Sequence, residues 1–365
     1  MMRHIFVGID LGDKKSVARI GIDNQKGSER LGFVNTRAGR SRLFKEVKQR
    51  SQTAGGGKIL MAYEASSCGF VLRDEAQANG VDCYVLAPTK MEKSVEQKKH
   101  KNDDRDAEDV LARLRGHVLA GNKLPTVWVP DQQVRDDREL MRTRLELVEK
   151  QTKVKAQIQM LLKRQDVEKP SDIGSSQTRG YRRWLEALTR YEGLGCGTRQ
   201  SLASRLRQLA AIEEELDRLD QQIGQLAEAP RHQPIVEALR QEKGVGVVTA
   251  MVYRTEIGEA GRFRRGRHVG KFVGLTPTSY ESGQQNDRKG HISRQGPPRL
   301  RKVLCQAAWV HVRHDPHSRE FYQRLVLKNP KKKKIALVAV MRRLAVRLWH
   351  RMREAETRMA QRSTR

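Results

Sequence analysis

Ile5-Phe6-Val7-Gly8-Ile9-Asp10 is an apolar run that ends on a carboxylate. Its length and composition read as a buried strand over residues 4 to 10. Gly12-Asp13 turns the chain, and Val17 to Ile22 reads as a returning strand, so the sequence opens on a β-hairpin. Phe33-Val34-Asn35 adds a third strand. Residues 39 to 50 carry Leu43, Phe44 and Val47 at helical spacing, and Ala54-Gly55-Gly56-Gly57 is a loop. A second apolar run, Ile59-Leu60-Met61-Ala62-Tyr63, lies in a strand over 58 to 64 and again ends on an acid, Glu64. A helix over 69 to 78, a strand from Asp82 to Leu86 closed by Pro88, and a helix over 103 to 120 follow. That last helix has Val110, Leu111, Leu114, Val118 and Leu119 on its apolar side. A hairpin followed by alternating helices and strands predicts a mixed α/β domain over residues 1–130.

After Val127-Trp128-Val129-Pro130 the pattern changes to helix, so the whole chain reads as α/β plus α. Residues 131 to 165 contain no Gly or Pro, and Leu140, Leu147, Val154 and Leu161 recur every seven. Leu202, Leu206, Leu209, Ile212, Leu216, Leu219, Ile223 and Leu226 step by three and four. These heptad-like stripes predict a helical coiled-coil connector over 131–230, either an antiparallel hairpin or a seam between chains. A Gly/Ser-rich loop at Ile173-Gly174-Ser175 and a short helix around Trp184 lie between them. Residues 231–365 form a third, mostly helical region. There Lys243-Gly244-Val245-Gly246-Val247 joins two helices in the manner of a helix-hairpin-helix element. Gly244 and Gly246 would let backbone approach a phosphate. A helix over 298 to 313 follows a basic loop at Gly290-His291-Ile292-Ser293-Arg294. Ile335 to Trp349 is amphipathic, which predicts a basic helix packed on the domain.

The chain has 72 Lys and Arg against 43 Asp and Glu, a net charge of +29. Such an excess implies a polyanionic partner, most often nucleic acid. Four scattered cysteines without a C-x-x-C pair fit a reducing, cytoplasmic setting. The N-terminus leads straight into a strand with no signal peptide, and no apolar run approaches the ~20 residues of a membrane helix.

Inside this basic chain, Lys101-Asn102-Asp103-Asp104-Arg105-Asp106-Ala107 is acidic. Asp103 and Asp106, three apart, share one face of a helix. Asp10 and Glu64 end neighbouring strands. Together they could converge on a divalent cation site, and Mg2+ prefers such hard oxygen ligands. Two ions held ~4 Å apart by carboxylates support phosphodiester cleavage. By helical phase Asp104 and Glu108 point elsewhere and are expected to be solvated.

Gly8-Ile9-Asp10, Tyr63-Glu64-Ala65 and the 101–107 cluster resemble the N-terminal motifs of the DEDD transposases of the insertion-sequence-110 family, relatives of the Piv DNA invertases. The C-terminal half is similar too, through Gly244-Val245-Gly246, Glu256-Ile257-Gly258, Gly274-Leu275-Thr276-Pro277, Glu281-Ser282-Gly283, Gly290-His291-Ile292-Ser293 and Leu300-Arg301. The resemblance covers about residues 5 to 350. It implies a RuvC-like (RNase H-like) N-terminal domain, a coiled-coil connector and a C-terminal transposase domain. It implies that Asp10, Glu64, Asp103 and Asp106 bind Mg2+, and that Ser282 attacks DNA to form a phosphoserine link. It further implies dimers or tetramers working on donor and target DNA with a structured guide RNA, the bridge RNA. Taken alone, Ser282 reads as a turn residue before Gly283. Arg288, Lys289 and Arg294 nearby could neutralise phosphate charge. The family's usual isoleucine-proline before the first glycine is Glu242-Lys243 here.

Other readings make different demands. An actin-like ATPase also opens on Gly-Ile-Asp-Leu-Gly, but its second phosphate loop and adenosine motif have no counterpart in place. A junction-resolving nuclease would share the four acids without a serine step. Cys305, His311, His314 and His317 fit no standard zinc spacing. Trp309, Trp349 and Tyr322 could stack on bases, although core packing is the expectation for the tryptophans.

Overall fold

The two runs that end on acids lie side by side at the centre of a five-stranded sheet. The structure, a computed structural model, describes residues 3–23, 25–91, 102–175, 178–282 and 285–363; for residues 279–282, 285–289 and 363 the description is of the backbone. Strand β1 (Ile5–Asp10) pairs antiparallel with β2 (Lys15–Ile22), and β2 pairs antiparallel with β3 (Glu29–Val34). On its other edge β1 pairs parallel with β4 (Ile59–Glu64), which pairs parallel with β5 (Asp82–Leu86). The third strand begins earlier than the Phe33-Val34-Asn35 stretch suggested, because Glu29 and Arg30 extend the ladder without adding to its apolar pattern.

Side chains alternate across a sheet, and the alternation here divides two cores. Ile5, Val7, Ile9, Met61 and Tyr63 face one side, with Leu43, Phe44 and Val47 of α1 (Arg37–Thr53) and Leu72 of α2 (Val71–Ala78). Phe6, Leu60 and Ala62 face the other, under Val110, Leu111 and Leu114 of α3 (Asp103–Ala120). The Asn102 side chain caps α3 by accepting the Asp104 N–H at 3.0 Å, and Gly121 ends it with φ 71°. Val118 and Leu119 are exposed at its C-terminal end, contrary to their place on the expected apolar side. They lie beyond the stripe that the sheet covers.

The chain divides into two compact units, residues 1–130 and 131–365. In the second, α4 (Gln132–Arg164) and α6 (Cys196–Glu228) pack together as an antiparallel hairpin. Arg144 pairs with Asp220, and Gln151 with Glu213, in reversed order along the two helices. Of the first stripe, Val154 and Leu161 are buried, while Leu140 and Leu147 are half-buried and Met141 and Leu145 take the buried places; the second stripe is buried at Leu202, Leu206, Leu209, Leu216, Leu219 and Ile223. At the far end Ile158 and Leu161 meet Leu202 and Leu206, together with Leu185 and Leu188 of α5 (Arg179–Leu188). At the near end Met141, Leu145, Ile223 and Ala227 merge into the core of the C-terminal helices.

Those helices are α7 (Gln233–Arg240), α8 (Val247–Ile257), α9 (Gly266–Phe272), α10 (Pro298–His314), α11 (Pro316–Lys328) and α12 (Lys333–Ser363). Strands β6 (Pro277–Ser282) and β7 (Gln285–Ile292) form a two-stranded sheet between α9 and α10. The basic loop expected before α10 is thus a strand as far as Ile292. Leu337, Val340, Leu344 and Leu348 bury one face of α12, as its amphipathic pattern requires. Trp349 lies in this core and donates its Nε1–H to the Ala260 carbonyl at 2.9 Å. Buried Asp137 accepts hydrogen bonds from Arg231 and from His232 Nε2, each at 2.8 Å. Among the described residues no helix is long and apolar enough to cross a membrane.

Candidate active site

Strand parity decides where the first two acids point. Asp10 shares its face of β1 with Phe6 and Gly8, and Glu64 shares its face of β4 with Leu60 and Ala62. Both therefore lie on the side that α3 covers. Ile9 and Tyr63 are register partners, so Asp10 and Glu64 follow at the adjacent ends of parallel strands. Each acid is the last residue of its strand, still in register with Val17 and Leu86 respectively, and each is half-buried.

Helix α3 runs antiparallel to β1. Its Ala107 and Leu111 backbone passes directly over Gly8, where an added Cβ would overlap the Leu111 nitrogen and the Ala107 carbonyl oxygen. Further along, Arg115 lies against Gly21, which pairs with Phe6 at the other end of β1. The N-terminus of α3 accordingly stands toward the Asp10 end of the sheet. Asp103 and Asp106 continue the buried stripe of Ala107, Val110, Leu111 and Leu114 by one turn.

Asp104 and Glu108 lie on the flank of the helix that faces β2, and here the expectation of solvated side chains fails. Asp104 pairs with Arg19, and with Arg30 at 3.2 Å. Glu108 accepts from Ser28 and lies 3.7 Å from Arg19. These contacts tie the first turns of α3 to β2 and the β2–β3 connection. Nothing in the local sequence of 101–107 signals them, because the arginines come from strands some 80 residues earlier.

The donor set of four carboxylates suits a hard divalent cation. Strand parity and helix phase bring Asp10, Glu64, Asp103 and Asp106 to one end of one face. As they stand, no three His, Cys, Asp or Glu side chains among the described residues are grouped closely enough to hold a metal ion. The same holds for the Cys305, His311, His314 and His317 alternative. His311 is buried and engaged elsewhere, with Nδ1 2.9 Å from the Lys243 carbonyl oxygen and Nε2 3.5 Å from Asp315.

Ser282 belongs to the second unit. It is the last residue of β6 and pairs with Gln285 across a two-residue connection, so it stands where the strand gives way to that connection. Tyr280 is opposite Arg288 and Ser279 opposite Lys289. The side chains of Ser282, Arg288 and Lys289, and all of Gly283 and Lys101, lie outside the described residues. Arg294, just past β7, is exposed and takes a left-handed φ of 52°. Its neighbour Arg301 binds the Val273 and Gly296 carbonyls at 3.1 and 2.9 Å, which fixes the base of this hairpin. Burial, with a smaller contribution from Arg294, lowers the Arg301 pKa.

The Lys243–Gly246 turn shows two different glycines. Gly244 has φ +83°, and a Cβ there would press on the Ala307 carbonyl and the Val310 side chain of α10. Its glycine is required by packing against a helix. Gly246 precedes α8 and faces open space. Buried Glu242 holds the turn from behind, accepting from Arg347 at 2.8 Å and Arg351 at 3.3 Å. Glu242 stands out in the sequence as a departure from the isoleucine-proline pair, but its ion-pair role does not, because Arg347 and Arg351 come from the distant α12.

An α/β unit with carboxylates at one sheet end is followed by a helical unit whose strong positive charge suits a nucleic-acid partner. Comparison with known proteins makes this specific. Residues 7–165 match a transposase family, the DEDD type associated with IS110, and residues 236–323 match the Transposase IS116/IS110/IS902 family. The y4rJ protein of Sinorhizobium fredii is 30% identical over 94% of this chain and 91% of its own length. The transposase for insertion sequence element IS1533 of Leptospira borgpetersenii is 27% identical over 85% of this chain and 86% of its own. The chain belongs to the IS110 family of transposases, enzymes that cut and rejoin DNA.

Proposed function

We propose that this transposase cleaves and rejoins DNA with two groups of residues, one in each unit. The N-terminal unit is read as a RuvC-like (RNase H-like) domain, supported by the strand order and by the helix lying over the β1–β4 pair. Asp10, Glu64, Asp103 and Asp106 would hold Mg2+, which when bound would polarise the scissile phosphate and stabilise the leaving oxygen. The observation that carries this is the shared orientation of Asp10 and Glu64 toward α3, with Asp103 and Asp106 on the same end of that helix.

Ser282 is the proposed nucleophile. Its Oγ loses its proton and bonds to phosphorus, and the bond from phosphorus to one sugar oxygen breaks. That oxygen takes up a proton and the strand stays joined to the protein as a phosphodiester. Rejoining reverses the exchange with a different sugar hydroxyl. Arg288, Lys289 and Arg294 would neutralise phosphate charge, and the Gly244–Gly246 turn would meet the DNA backbone through Gly246, with Gly244 packed against α10 behind it. The enzyme works in the cytoplasm as a homodimer or homotetramer on donor and target DNA, guided by a structured bridge RNA like the family it resembles.

Trapping a covalent protein–DNA adduct tests the reading. With cognate DNA, RNA and Mg2+, the adduct should form in the unaltered protein and vanish in both Asp10→Asn and Ser282→Ala. Strand cleavage that persists in Ser282→Ala would instead indicate a nuclease that uses water.

A further inference from the structure

We propose that Trp309, on the outer face of α10, is a stacking platform for an unpaired DNA base. The inference requires that the enzyme acts on DNA, and is independent of which residue attacks the phosphate.

Helix α10 has two distinct faces. Leu300, Val303, Leu304, Ala307, Ala308 and His311 are buried. Gln306, Trp309, Val310, Arg313 and His314 form an exposed stripe at helical spacing. Trp309 is 44% exposed, and Tyr322 of α11 meets it edge-on with ring centroids 5.9 Å apart. Helix phase therefore turns the indole outward and a second aromatic ring steadies it. The sequence favoured core packing, which holds for Trp349 and fails for Trp309.

Charge selects the occupant. Residues 231–365 hold 31 Lys and Arg against 10 Asp and Glu, a net +21 of the total +29. Between residues 298 and 335 there are 11 Lys and Arg and only two acids, Asp315 and Glu320. Asp315 is engaged as the cap of α11. A second copy of this chain would bring like charge to like charge, whereas a polyanion is attracted. The stripe also abuts the Lys243–Gly246 turn through the contact of Val310 with Gly244. A strand along it would place phosphates near exposed Lys243 and Arg313 and a base on Trp309. Aromatic residues on basic surfaces bind single strands this way, since every base offers a π-face. A duplex hides those faces within its stack. Strand exchange on DNA exposes them, which favours DNA over RNA as the occupant.

Fluorescence anisotropy of the full chain with labelled single-stranded DNA, duplex DNA and RNA of one sequence tests this. Trp309→Ala should weaken single-stranded DNA binding by roughly 5- to 150-fold, the range for one lost base stack. It should leave duplex binding within about twofold and the salt slope unchanged. Trp309→Phe should retain most of the affinity, and an unchanged melting temperature excludes loss of fold. Equal loss on duplex, no loss at all, or a larger loss on RNA than on DNA would each overturn the proposal. So would a change of oligomeric state by light scattering, which would assign the face to a second copy.

Discussion

Single residues decide two properties of this protein. Gly8 lets α3 lie on β1, and the atoms that a Cβ would meet are backbone, which cannot rotate aside. Gly8→Ala should therefore destabilise the N-terminal unit by about 3 kcal/mol, the upper range for overpacking, as a lower thermal midpoint. It should also impair cleavage by moving Asp103 and Asp106 relative to Asp10. His232 sets a pH response in the second unit. Burial lowers its pKa from the ordinary 6.5 and outweighs the opposing pull of Asp137. The unfolded chain then binds the proton more readily than the folded one, so stability falls as pH drops below about 6.5. Urea midpoints at pH 7.5 and 5.5 should show that fall, and His232→Gln should reduce it.

At the scale of elements, the tether between α3 and β2 has a mechanical role. Asp104 with Arg19 and Arg30 fixes the end of α3 that carries Asp103 and Asp106. Asp104→Ala should keep the fold but reduce cleavage several-fold at limiting Mg2+, with recovery at saturating Mg2+. Equal loss at both concentrations would argue against a positioning role. The helical hairpin can be tested separately. Ile223 is fully buried where the hairpin meets the C-terminal core, so Ile223→Ala should cost about 3 kcal/mol in chemical unfolding. Met160→Ala, at a position 52% exposed, should cost little. These elements also show what was legible. The β1 and β4 runs and the heptad stripes announce themselves because burial demands continuous or periodic apolar residues. Strands β6 and β7 do not, since Tyr280-Glu281-Ser282 and Gln285 to Lys289 are polar and carry no apolar alternation. That Asp10 and Glu64 end neighbouring strands, and that Asp103 and Asp106 open one helix, could be read from the sequence pattern. The partners of Asp104 and Glu108 could not, because only the folded sheet brings Arg19, Ser28 and Arg30 to them.

Across the whole molecule the positive charge is uneven. Residues 1–130 carry +7, 131–230 carry +1 and 231–365 carry +21. Sequence-independent DNA affinity should thus reside mainly in the last region. Replacing Lys331, Lys332, Lys333 and Lys334 by Gln should weaken duplex binding and flatten its salt dependence, by a slope of about 0.9 for each lost phosphate contact. All four are exposed, so the melting temperature should hardly move. The helical hairpin, nearly neutral in net charge, has another consequence. Its two 33-residue helices each span about 50 Å. One end is rooted in the C-terminal core and the other is closed by α5. The middle is therefore a ruler: seven residues added to each helix would move the tip outward by about 10 Å and leave both ends intact. Reach could be retuned in steps of whole heptads without altering the core at one end or the α5 closure at the other.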